Sequence, residues 1–308
     1  MNMMDPHYRT DKTTIAQRPP VPTGITRIFL LVFITAAITA CATPAQRMDD
    51  TAAHLGYTRT TVTGPAFPEV IYEYNFSVPG RVLHVYLGGD GSPWLYRYWV
   101  SRDPTPRNPV MLNLMALDHA PSIYLSRPCY DGYASQAPCT PLLWTQARYS
   151  ERVVANMTAV LQKILDADRF DGVVLFGYSG GGALALLLAE RVPETRAIIT
   201  IAGNLDTDAW TGYHGYSPLT DSLNPARSPP LAPSIVQLHI AGNKDTNIPP
   251  ELTRRALEHQ DHAHMVVLSG YDHHCCWQRI WPDVLKGVNE GKPWAYLGAA
   301  AMLQESGD

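Results

Sequence analysis

The chain has 308 residues, 45% hydrophobic and 17% charged, with a formal net charge of −4. That composition suits one large folded domain and argues against a disordered chain. With no basic balance and no Lys/Arg-rich patch, nucleic acid is not an expected partner, and no internal repeat suggests a solenoid.

At the N-terminus, Met1 to Gly24 is polar, and Arg27 then precedes IFLLVFITAAITA, Ile28 to Ala40. A cation followed by an apolar run of this length is the pattern of a secretory signal, and it is short for a membrane span. The run ends Ile38-Thr39-Ala40-Cys41. This is similar to a bacterial lipoprotein signal, which implies cleavage before Cys41, lipidation of Cys41 and attachment to a membrane. Ala42 in second place implies the outer membrane rather than the inner one. An ordinary cleavable signal and an uncleaved anchor are the other readings. The expected organisation is a signal over 1–40, a tether over 41–65 with little periodic hydrophobicity, and one folded domain over 66–308.

Within that domain, Val70–Phe76 and Val82–Leu87 are predicted strands, Pro109–Leu117 a helix and Ser122–Leu125 a strand. Arg152–Leu165 has apolar residues at 153, 154, 157, 160, 161, 164 and 165, the spacing of an amphipathic helix. Val173–Phe176 is a short continuous apolar run that suits a strand buried on both faces, and Ala183–Arg191 is built of strong helix formers. Ala197–Ile201, Ile235–Ile240 and Met265–Leu268 are further strands. Pro249–His259 and Trp277–Val288 are helices, the first opened by a proline. Strand and helix alternate through the second half, which argues an α/β fold with a mostly parallel sheet and helices on both faces. Residues 203–233 interrupt the rhythm with Trp210, Tyr213, His214, Tyr216 and several prolines; a loop of this length suits a lid or pocket wall.

Between a strand and a helix lies Gly177-Tyr178-Ser179-Gly180-Gly181, the G-x-S-x-G pattern of a nucleophile elbow. The glycines permit a turn too sharp for other residues. The plainer reading is a tight turn with an idle serine. A serine hydroxyl needs a base to be nucleophilic, and a histidine needs a carboxylate to fix its tautomer. In an open α/β sheet such partners sit beyond the carboxyl ends of the strands. After Ile235–Ile240 comes AGNKDTNIPP with Asp245, and after Met265–Leu268 comes SGYDHHCCW with His273 and His274. Asp206, Asp208 and Asp272 are rival acids. A backbone oxyanion site needs two amides: Gly180 follows the serine, and Gly88-Gly89-Asp90-Gly91 follows an early strand, so Asp90 or Gly91 is the second donor.

The elbow and the chain order Ser179, Asp245, His273 resemble the α/β-hydrolase family over about residues 66–290. The resemblance implies that fold without a large cap domain, a serine hydrolase acting through an acyl-enzyme on a small-molecule acyl ester, and neither a metal nor an organic cofactor. A thioester or a peptide would suit the same groups. Related hydrolases place the base ahead of the Cys-Cys-Trp segment, which selects His273 over His274. The sequence departs from the H-G-G-G loop of the family in having Gly88 where the histidine stands. Arg127–Ser150 resembles a subgroup of exported bacterial hydrolases.

Cys129, Cys139, Cys275 and Cys276 remain once Cys41 is set aside. In an exported protein an even number suggests disulfides. Cys129–Cys139 would close a short loop, leaving either a vicinal Cys275–Cys276 pair or a zinc site with His273 and His274. Two other classes stay open: a binding or scaffold lipoprotein on a hydrolase fold, and a metal-dependent hydrolase.

Overall fold

The computed structural model describes residues 42–76, 81–96, 98–168, 170–260 and 262–298. The expected signal over 1–40 and lipidation at Cys41 lie outside these residues. The described residues from Ala42 onward belong to one compact unit, and the two core clusters found among the described residues lie inside it.

Eight strands make one sheet in the order β1-β2-β6-β3-β7-β8-β9-β10. They are β1 (Thr58–Thr63), β2 (Pro68–Tyr74), β3 (Val82–Leu87), β6 (Ser122–Leu125), β7 (Gly172–Tyr178), β8 (Thr195–Ile201), β9 (Val236–Gly242) and β10 (Ala263–Leu268). β1–β2 and β2–β6 are antiparallel; every pairing from β6 through β3 to β10 is parallel. β4 (Trp94–Leu95) and β5 (Trp99–Val100) form a separate hairpin.

The central strands bury both faces, so side chains alternate between two cores. Leu83, Val85, Val173 and Leu175 pack on one side, against α3 (Glu151–Asp168) and α4 (Gly180–Ala189). Tyr86, Val174, Phe176 and Ile199 pack on the other, with α1 (Pro44–His54), α2 (Val110–Met115) and α7 (Trp281–Asn289). The result is an α/β fold with a mostly parallel sheet and helices on both faces.

The tether expected over 41–65 is corrected by the structure: most of it is folded. Thr43 caps α1 in a reciprocal box, its hydroxyl accepting from the Gln46 amide at 3.1 Å while Gln46 Oε1 accepts from the Thr43 amide at 2.8 Å. Met48 and Ala52 are buried beneath it. The helix escapes a periodicity search because those two positions carry nearly all of its apolar face. β1 (TRTTVT) escapes because it is an edge strand made mostly of threonine. The folded domain therefore starts near residue 43, not 66. In the long segment 203–233, α5 (Thr207–His214) forms behind an Asp206 cap that accepts from the amides of Asp208 and Ala209. α6 (Pro250–Ala256) follows β9.

Cys129 and Cys139 are joined, with Cα atoms 5.5 Å apart. Cys275 and Cys276 are paired with each other.

Candidate active site

The site is assembled from the carboxyl ends of β3, β7, β9 and β10. Ser179 sits between β7 and α4 with φ 54° and ψ −122°, a conformation L-residues seldom adopt. The turn closes only because its neighbours lack side chains. A Cβ on Gly177 would meet the backbone of Gly181, and one on Gly181 would meet the carbonyls of Leu87 and Gly88. The elbow and the loop after β3 thus pass through each other's space.

His273 and Asp245 arrive on two other loops. His273 Nε2 is 3.1 Å from Ser179 Oγ, and Nδ1 is 2.8 Å from Asp245 Oδ2. The second Asp245 oxygen accepts from the amides of Asn247 and Ile248, both at 2.8 Å, which fixes the buried carboxylate in place. The other candidates are occupied elsewhere. Asp206 caps α5, and Asp208 pairs with Arg227 at 2.6 Å. Asp272 accepts the amides of Cys275 and His274, which hold its carboxyl below the usual range. His274 Nδ1 is 3.1 Å from the Tyr178 hydroxyl, which itself donates to the His273 carbonyl at 3.0 Å. His273, His274, Cys275 and Cys276 therefore do not converge, and among the described residues no group of three or more His, Cys, Asp or Glu could hold a metal ion.

Three features escaped sequence reasoning. The first is Asn247, two residues past Asp245, whose side-chain amide is 3.0 Å from His273 Nε2. Trp210 Nε1 donates to its Oδ1 at 3.4 Å. The second is Gly89, against which Ser179 packs so closely that a Cβ at position 89 would be 3.3 Å from the serine Cβ.

The third is a buried ionic cluster under Asp90. Its carboxylate is 2.8 Å from Arg127 Nη1 and 2.7 Å from Arg148 Nη1, and accepts from the Tyr149 hydroxyl at 2.6 Å. The Tyr130 hydroxyl donates to the Asp90 carbonyl at 2.9 Å. Burial alone would raise this acid, but Arg148 and Arg127 outweigh it and hold it at about 2. Asp90 thus enters with its side chain pinned, and among the described residues no acceptor binds its amide or that of Gly180.

Ser179, His273 and Asp90 border a cavity of about 800 Å³ whose walls include Met111, Trp210 and Tyr216. The His214 and Tyr216 rings stack at 4.9 Å, and His214 Nε2 is 2.7 Å from the Asn247 carbonyl. The segment 203–233 is therefore a wall of this cavity and touches the Asn247 loop.

Residues 135–275 match the family model described as serine hydrolase (FSH1). No curated protein matches the chain in sequence. Among solved structures, the chain is similar to an esterase of Pyrococcus furiosus, at 12% identity and a TM-score of 0.52, over 82% of this chain and 94% of the other. A putative α/β hydrolase of Agrobacterium tumefaciens matches at 14% identity and a TM-score of 0.51, over 76% and 97%. A puromycin-hydrolyzing peptidase of Mycobacterium tuberculosis matches at 16% identity and 0.53, over 79% of this chain but 39% of that one. These likenesses show the fold, and the family match supports hydrolase chemistry.

Proposed function

We propose that this protein is a serine hydrolase that cleaves an acyl ester through a covalent acyl-enzyme. One observation carries the reading: the line of contacts from Asp245 through His273 to Ser179, opening on a single cavity. As the Ser179 oxygen bonds to the ester carbonyl carbon, its proton passes to His273 Nε2. The carbonyl electron pair moves onto oxygen, where the amides of Gly180 and Asp90 receive it. Collapse expels the alcohol, which takes the proton from His273. Water then repeats the sequence and releases the acid. Asp245 holds the Nδ1–H tautomer and stabilises the imidazolium. The Asn247 side-chain amide lies 3.0 Å from His273 Nε2, so it shares that nitrogen's one lone pair with the serine hydroxyl.

Met111, Trp210 and Tyr216 in the cavity wall offer apolar surface to an acyl chain or ring, beside Arg107 and Arg148. Export and membrane attachment through Cys41 belong to the same proposal, supported by the apolar run Ile28–Ala40 and by four cysteines paired among themselves.

A fluorophosphonate probe tests the chemistry. It should label the wild-type chain and leave Ser179→Ala unlabelled, with ester hydrolysis unaffected by a chelator. A folded wild type that takes no label would overturn the catalytic reading and bring forward a binding lipoprotein on the same fold.

A further inference from the structure

The β4–β5 hairpin reads WLYRYWV, residues 94–100. It is anchored at its root and bare at its tip. Ser101 donates its amide to the Pro93 carbonyl at 2.9 Å, and Trp144 Nε1 donates to the Ser101 carbonyl at 3.1 Å. Beyond that root, Tyr96 is 87% exposed, Tyr98 82%, Trp99 70% and Trp94 43%. Four large aromatic residues thus stand in water on seven positions, an exposed apolar cluster of the kind that marks interaction sites. Their chemistry is selective. Tyr and Trp combine an apolar body with a polar tip, the combination enriched where hydrocarbon meets water. The sequence puts Arg97 between the two tyrosines, a cation suited to lipid phosphate.

Two placements narrow the occupant. The chain enters the domain beside the hairpin root: the Ala45 amide at the start of α1 donates to Asp103, three residues past β5, at 3.2 Å. Only Ala42 separates the α1 cap Thr43 from Cys41 and the apolar run before it. The hairpin also borders the cavity, because Pro93 and Trp94 are part of its wall.

We propose that the 94–100 hairpin docks on a phospholipid bilayer surface, inserting Tyr96, Tyr98 and Trp99 at the interface and turning the cavity rim toward the lipid. This goes beyond the acyl-ester reading and does not depend on it, since docking is read without catalysis.

The test uses the full chain mixed with vesicles of phosphatidylcholine brominated on its acyl chains. The segment 1–41 holds no tryptophan, so emission reports on the domain alone. Flotation should show the chain on the vesicles, and brominated lipid should quench part of its emission. That quenching should be lost in the double variant Trp94→Phe, Trp99→Phe, whose remaining tryptophans lie outside the hairpin. A second variant, Tyr96→Ser with Tyr98→Ser, keeps both emitters and should lose most of the quenching while its melting temperature by circular dichroism stays that of the wild type, which shows it is folded. No flotation, or no quenching, overturns the proposal. Quenching that survives in the Phe variant overturns it in favour of another face. Concentration-dependent dimerisation abolished by the Ser variant, without vesicle binding, would make a second copy the occupant and also overturn it.

Discussion

At Ser179 the elbow holds the side chain rigidly at φ 54°, so Ser179→Ala should keep the fold and lose turnover. The expected fall in kcat on a chromogenic ester is on the order of 10⁶-fold, the scale seen when a serine nucleophile is removed elsewhere. Asp245→Asn should cost roughly 10⁴-fold by leaving His273 in the wrong tautomer. Asp90 calls for a different experiment, because its carboxylate holds two buried arginines while its amide is the proposed oxyanion donor. In Asp90→Asn the amide stays, but Arg127 and Arg148 lose a buried counter-charge, a loss of about 3–5 kcal/mol where one partner of a buried pair is removed. Urea unfolding should show that loss; an unchanged midpoint would mean the arginines find other partners.

Among the elements, most strands and helices of the parallel half were legible from an apolar run or a helical stripe, and α6 from the proline that opens it. The elbow, Asp245 and His273 were legible for a related reason: the sheet delivers them at strand ends, where a sequence reader can look. What escaped depends on contacts across the chain. α1 and β1 bury too little to show a period, and Asn247 reaches His273 only once two loops meet. The Asp90 cluster joins residues about sixty positions apart, which no local pattern records. The loop over Arg127–Cys139 has its own test. Replacing both Cys129 and Cys139 by Ser should cost roughly 2–3 kcal/mol, a drop in Tm of about 5–10 °C for a domain this size. A Tm that does not move would show the loop is held by its side chains alone.

For the whole molecule, two buried acids away from the cavity set the response to pH. Burial raises Glu69 to about 8, against the Asn156 amide that bonds it, and raises Asp131 to about 7, against the Ser126 hydroxyl. Both fold in their protonated form at mildly acid pH. Unfolding frees them to ionise from their ordinary values near 4, so the unfolded state gains as pH climbs. Stability should therefore be complete below about pH 4 as far as these two groups decide it, and fall as pH rises through 7 and 8. Urea midpoints at pH 5.5 and 8.5 measure the slope, which Glu69→Gln should flatten. The sheet has one further consequence, at its two outermost strands. β1 presents threonines and an arginine, poor material for pairing with another chain. β10, at the opposite edge, reads AHMVVL and leaves Val267 37% exposed. Colloidal failure under heat or at high concentration should therefore begin at β10, and a lysine placed at Val267 should slow the growth of turbidity while leaving the melting temperature where it was.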